Sequence, residues 1–254
     1  MAKGYIFYPF FGGSGFHTFR VNILKKTITL FISLALLSIG SSAFSQDVKA
    51  ENAIETLQAA LEKDSMGPRL FSELGLAFLK IEKYQQAIEP LEKSIKLRPN
   101  DSWTHLHLAL ALGAVGRHPE KLRELQESVR LAPDMAEANF KLALAYAASK
   151  RHQEASDYYK KAINLTPDYQ EAHYFLSLSY FLTNRYNEAL DSINESIRIN
   201  PNNAEAHYTL GQIYMKLGRY NKAIHPLQTA MRIQPELPQI KSQNSEFRNR
   251  PKKK

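Results

Sequence analysis

The chain contains no cysteine. Disulfides, thiolate nucleophiles and thiolate metal sites are therefore excluded, and no residue could carry a lipoprotein acyl chain. Also missing are HExxH, GxSxG and a glycine-rich phosphate loop after a strand, so no catalytic constellation is offered. The expectation is a protein that is not an enzyme and has no cofactor and no metal site. The central part of the chain lacks a charge excess as well. The net charge is +8, yet residues 1–45 hold Lys3, Arg20, Lys25 and Lys26 with no acid, and residues 236–254 hold six basic and two acidic residues. Residues 46–235 carry 23 of each sign, so the basic balance belongs to the two ends and no nucleic-acid partner is expected.

The one long apolar run lies near the start. Lys25 and Lys26 precede apolar residues from Ile28 to Ile39, then Gly40, Ser41, Ser42 and Ala43-Phe44-Ser45. Basic start, short apolar stretch and small residues in that order read as a secretory signal peptide cut after Ser45. The alternative is an uncleaved signal anchor, since Thr27 to Ser45 has no charge and is long enough to cross a bilayer. Upstream, aromatic residues and glycines are mixed without a period, which points to a translation start near Val21. The expected location is outside the cytoplasm, in a bacterial periplasm, with an inner-membrane anchor as the variant.

What the chain has in abundance is repetition. Pro99, Pro133, Pro167, Pro201 and Pro235 stand 34 residues apart, the mark of one supersecondary unit used again and again. With units beginning at Pro68, Ser102, Ala136, Gln170 and Ala204, the seventh residue is always leucine: Leu74, Leu108, Leu142, Leu176 and Leu210. The eighth is always small (Gly75, Ala109, Ala143, Ser177, Gly211), and the eleventh is Phe78, Leu112, Tyr146, Tyr180 or Tyr214. That spacing makes one face of a helix. After a break containing Gly116, Asn184 and Gly218, which suit a helix end, a second apolar period runs through Ala87, Ala155, Ala189 and Ala223, then Leu91, Leu125, Tyr159, Ile193 and Leu227.

This pattern resembles the tetratricopeptide repeat along residues 68–237. The resemblance implies an all-α solenoid of antiparallel helix pairs, a right-handed superhelix whose concave face is lined mainly by first helices and binds a protein or peptide. The domain plan is 1–45 for an N-terminal extension with its signal segment, 46–67 for a capping half-repeat, 68–237 for five repeats and 238–254 for a basic disordered tail. By that geometry the partner-binding residues are Trp103, Leu106, His107, Leu110, Phe140, Lys141, Leu144, Tyr174, Phe175, Leu178, Phe181, Tyr208, Gln212 and Met215. Ser72 and Leu76 stand where chaperone-binding relatives place a carboxylate clamp, which disfavours that ligand. Departures from the family are the fourth residue (Phe71, His105, Asn139, His173, His207), Lys121 in place of the small alanine, and Glu82 and Lys150 at loop positions that suit glycine. Lys121 is expected to loosen the second unit, and Pro90 and Pro226 fall inside second helices.

Several polar residues have plainer readings. Five of the eight histidines (His105, His173, His207, His118 and His152) sit at repeated structural positions, and His105 and His107 lie about 200° apart around a helix, unable to share one ion. Lys83, Arg117, Arg151, Arg185 and Arg219 form a ladder after each first helix, where cations complement the helix dipole. No apolar period follows Pro235, so the last second helix is expected to be uncapped. The function read from the sequence is a non-catalytic interaction scaffold of the envelope that binds an apolar or amphipathic segment. A component that self-assembles into a homo-oligomer through the C-terminal repeat, or a membrane-anchored adaptor, is the alternative.

Overall fold

A computed structural model describes residue 49 and residues 51–63 and 67–236. The expected signal segment and basic tail lie outside these residues. The chain divides into two compact units, Met1–Thr56 and Leu57–Lys254. Helical residues 51–63 (α1) supply the described part of the first unit and open the second. In the second unit five helix pairs follow: α2 (Pro68–Lys80) and α3 (Tyr84–Leu97), α4 (Ser102–Ala114) and α5 (His118–Leu131), α6 (Ala136–Ala148) and α7 (His152–Leu165), α8 (Gln170–Leu182) and α9 (Tyr186–Ile199), and α10 (Ala204–Lys216) and α11 (Tyr220–Ile233). The first helix of every pair starts at the residue that begins the repeat. Each helix packs against its partner in the pair, and each second helix against the next first helix, as a stacked repeat requires.

The turn within each pair has one conformation. Glu82, Gly116, Lys150, Asn184 and Gly218 all have φ between 58° and 82°. The N–H of the following residue reaches back to the helix: Lys83 to Phe78 O at 2.9 Å, Arg117 to Leu112 O at 2.8 Å, Arg151 to Tyr146 O at 2.9 Å, and likewise Arg185 and Arg219. A left-handed residue followed by this long backward bond satisfies carbonyls the helix end leaves open. Glu82 and Lys150 adopt it although each has a Cβ, at a cost of about 1 kcal/mol.

Two further devices hold a pair together. A Cβ added to Gly75 would lie 2.4 Å from Leu91 Cγ, and one added to Gly211 would lie 2.6 Å from Leu227 Cγ; the helices touch through these glycines. At the other end of the pair, Ser94 Oγ donates to Pro68 O at 2.8 Å and Ser128 Oγ to Ser102 O at 2.9 Å. Between units, the fourth residue of a first helix reaches the carbonyl of the repeat proline. Asn139 Nδ2 donates to Pro133 O at 3.0 Å, and the Nε2 atoms of His105, His173 and His207 lie 3.0, 2.9 and 2.8 Å from the carbonyls of Pro99, Pro167 and Pro201. The family's large fourth residue is thus replaced by donors, and the exposed loop is tied to the helix it precedes.

The second unit absorbs Lys121 rather than loosening around it. The Lys121 stem crosses Gly113, where an added Cβ would stand 2.8 Å from Lys121 Cδ. Gly113 occupies the position of Leu79, Ala147, Phe181 and Met215 in the other units, so a large side chain on α5 is matched by a missing one on α4. Pro90 and Pro226 do lie inside α3 and α11, both buried, and neither ends its helix.

These contacts rank three substitutions. Gly75→Ala pushes a methyl into Leu91 and should cost about 1–3 kcal/mol. Gly116→Ala meets nothing within 4 Å, so only its left-handed backbone is strained, for about 1 kcal/mol, while Lys150→Gly should be neutral or stabilising. Denaturant midpoints followed by helical circular dichroism give the order, and equal losses at Gly75 and Gly116 would remove the helix contact as the limiting feature.

Candidate functional site

The residues expected on the concave face occupy unit positions two, five, six, nine and twelve of successive first helices, a spacing that keeps them on one stripe. Along it α2 packs on α4, α6 on α8, and α8 on α10. Trp103 is its most open large side chain, 49% exposed. His107, Leu110, Lys141, Leu144, Tyr174, Phe175, Leu178, Phe181, Tyr208, Gln212 and Met215 are half-buried. Two residues differ from the expectation: Leu106 is 1% exposed and Phe140 is 5% exposed, so both belong to the core beneath the stripe. Phe140 is surrounded by rings, its centroid 4.8 Å from Tyr169, 5.8 Å from Tyr159 and 6.0 Å from Phe175. Helical spacing places a residue on a face but does not say whether the neighbouring helix covers it.

The half-buried aromatics are positioned by their neighbours. Phe175 is stacked on the fully buried Tyr159, with ring centroids 6.2 Å apart, and meets Tyr174 edge-on at 5.2 Å. The Tyr174 hydroxyl lies near Thr209 on the next first helix, and burial pushes it above the ordinary tyrosine value. On α10, Gln212 Nε2 donates to Tyr208 Oη at 2.9 Å. At the other end Trp103 and His107 lie with centroids 6.0 Å apart. Burial pushes His107 below the ordinary histidine value against the opposing pull of Glu137 and Asp101, and its buried Nδ1 has no hydrogen-bond partner among the described residues. Rigid aromatic and leucine side chains of this kind form protein-binding surfaces.

The basic ladder is engaged in a way the sequence did not show. Its residues are the N-caps of the second helices, and Arg117, Arg151 and Arg185 pair with Glu120, Glu154 and Glu188 one turn on. Arg151 and Arg185 also lie 4.4 Å over the rings of Tyr146 and Tyr180. They fasten the end of one helix to the start of the next. Among the described residues, no cluster of three histidine, aspartate or glutamate side chains is placed to hold a metal ion.

Sequence reasoning missed a pocket of about 500 Å³ at the N-terminal end of the second unit, floored by Leu61, Phe71, Leu74, Phe78 and Pro90 and rimmed by Gln58, Glu62, Gln86, Glu89 and Lys93. Its signal was the fourth residue of the first unit: Phe71 has no polar atom to tie to a loop and faces the Lys93 ammonium at 5.6 Å.

Models of known families match three stretches of the chain. Tetratricopeptide-repeat models match residues 42–102 and 136–169, and a model described as anaphase-promoting complex, cyclosome, subunit 3 matches residues 158–230. No curated protein matches the chain in sequence. Among solved structures it is similar to a MamA protein at 24% identity, covering 66% of this chain and 92% of that one with a TM-score of 0.62. It is similar to MamA from Desulfovibrio magneticus RS-1 at 16% identity, covering 68% and 99%, TM-score 0.63. It is similar as well to YrrB, described as a TPR protein with an unusual peptide-binding site, at 16% identity, covering 76% and 99%, TM-score 0.68. At these identities the likeness is one of fold.

One polar contact in the stack makes stability depend on pH. Burial opposes a charge on His105, but Glu124, whose Oε2 lies 2.6 Å from Nδ1, together with the Pro99 carbonyl, outweighs it and holds the ring above its ordinary value of 6.5. The bonus is therefore fully present below the unfolded histidine's value and is lost as pH rises through the higher folded one. Denaturant midpoints should fall over roughly pH 6 to 8, and Glu124→Gln should flatten that slope; an unchanged slope in the variant would assign the effect elsewhere.

Proposed function

We propose that this chain, which belongs to the tetratricopeptide-repeat proteins and is a protein–protein interaction scaffold, binds an apolar or amphipathic peptide segment along its first-helix stripe as a non-catalytic adaptor. The observation that carries this reading is the stripe itself: one half-exposed tryptophan and a run of half-buried leucine, phenylalanine and tyrosine side chains from α4 to α10. Such surface is costly to leave wet, and rigid aromatics lose little entropy when a partner covers them. Leu106, Phe140 and Tyr159 form the support under it. A peptide-binding site is part of the description of YrrB, which agrees with this use of the fold.

Placement in the cell envelope is part of the proposal. It is supported by the order of Lys25-Lys26, the apolar run and Ala43-Phe44-Ser45, which reads as an export signal. The membrane-anchored adaptor is the same reading with that segment retained. No helix among the described residues is long and apolar enough to cross a membrane.

A second reading, self-assembly through the last repeat, is favoured by one comparison inside the chain. On α11, Tyr220 is 67% and Ile224 54% exposed, whereas Ile88, at the position of Ile224 in the first unit, is 5% exposed. The same position is buried or half-buried in the four preceding units (Ile88, Leu122, Ser156 and Leu190) and exposed only in the last of the described units.

One affinity purification from an envelope fraction separates the readings. Trp103→Ala with Tyr174→Ala should reduce recovered partner by tenfold or more, roughly the loss expected of two interface anchors, and the mature chain should begin at Gln46. Ile224→Lys should leave that recovery intact. A partner lost with Ile224→Lys and kept with the stripe variant, alongside light scattering that shows oligomers of the wild type alone, would replace the first reading with the second.

A further inference from the structure

Resting on the reading that the first-helix stripe binds a peptide, we propose that the junction of α4 and α6 carries a subsite for an acidic side chain of that peptide, held by Lys121 and Lys141. Lys121 stands on α5 where the other units have Ala87, Ala155, Ala189 and Ala223. A lysine there would ordinarily be shut behind the first helix, but Gly113 leaves the way open. A Cβ on Gly113 would come within 2.8 Å of Lys121 Cδ and 3.4 Å of its Nζ, so the chain of methylenes runs through the space a side chain of α4 would fill. The paired exchange lets a second-helix lysine deliver its ammonium to the first-helix layer.

Charge makes the opening specific. Arg117, Arg130, Arg151, Lys160, Arg185 and Arg198 each have a carboxylate within 3 Å. Neither Lys121 nor Lys141 forms an ion pair or a hydrogen bond among the described residues, and the Lys141 ammonium lies 5.9 Å from the centre of the Phe140 ring. Burial, and then the positive charge of Lys141, lower the proton affinity of Lys121, and no carboxylate offsets them. Asp101 caps α4, accepting from the N–H groups of Trp103 and Thr104, and Glu137, one turn before Lys141 on α6, bears on His107; neither forms an ion pair with Lys121 or Lys141. Two half-buried like charges without a counter-ion are unfavourable in the free protein, and a bound carboxylate relieves both at once.

The position along the stripe favours a side chain over a chain end. Trp103 and Leu110 lie on one side of the junction and Leu144, Leu178 and Tyr208 on the other, so a peptide that covers the stripe passes through it and presents an internal residue there.

Selection of random dodecapeptides on the full-length chain tests the subsite, one library displayed with blocked C-termini and a second with free C-termini. The blocked library should yield an apolar consensus with Asp or Glu at one fixed spacing from it. The Glu-to-Gln version of a selected peptide should bind wild type about tenfold more weakly, the loss of one charge-assisted pair. That ratio should fall to about one in Lys121→Met and Lys141→Met and in high salt. Lys121→Met keeps the stem against Gly113, and circular dichroism matching wild type verifies its fold. An apolar consensus without an acid overturns the subsite and leaves the stripe reading standing. Acid selected only from the free-C-terminus library overturns the side-chain assignment, and no apolar consensus in either library removes the stripe reading and the subsite with it.

Discussion

The spacing of the two helices in a repeat is set at one point, where the eighth residue of the first helix meets the large side chain of the second. At Gly75 and Gly211 the facing leucine occupies the volume a Cβ would need. In the middle units alanine or serine stands there, and Leu125, Tyr159 and Ile193 opposite are fully buried. One side is always small and the other always large, so the helix axes keep their distance while the partner varies from leucine to tyrosine. Close-packed interiors respond to such steric limits rather than averaging over them. The seventh and eleventh positions then face inward, the fifth, sixth and ninth turn toward the neighbouring first helix and the solvent, and a continuous stripe results. A repeat stacked at a different spacing would scatter the same side chains.

The second constraint acts between units. In four successive units a fourth-position side chain reaches the carbonyl of the preceding repeat proline. Proline gives up its own N–H and shapes the loop, but its carbonyl still needs a donor. Any side chain with an N–H at the right height will serve, which accounts for histidine and asparagine at a place where the family pattern has a bulky residue. The identity of the residue is therefore less informative than its hydrogen-bonding capacity. His105 adds Glu124 to this bond and so couples the loop to the second helix of its own unit.

These two constraints also explain what could be read directly from the residues. The period, the helix starts and the left-handed loop residues follow from local rules that repeat every unit, and Glu82 and Lys150 conform because the backward bond from the next residue imposes the conformation on them. Leu106 and Phe140 escaped that reasoning. Position five carries a buried side chain in α4 and α6 and a half-buried one in α8 and α10, so burial there does not follow the repeat. The ladder was legible in place but not in partner: its arginines cap the second helices and pair with glutamates three residues on, a spacing that complementing the preceding helix dipole does not require.

Lys121 shows the same limit from the other direction. As a departure from pattern it reads as a flaw, and Gly113 eight residues earlier reads as an unrelated small residue. Only when α4 and α5 are laid side by side do the two become one exchange of volume across a helix pair. A lone large-for-small change in a packed repeat would force the helices apart, at a cost of a few kcal/mol, and the matching glycine avoids that cost without burying an apolar group. Leucine or methionine would fill the gap equally well by volume. Lysine adds only a charge, and the charge ends beside Lys141 where the fold supplies no counter-ion. Packing therefore accounts for the methylenes of Lys121 and for the glycine that admits them, while the ammonium forms no ion pair among the described residues, and the proposed subsite starts from that charge.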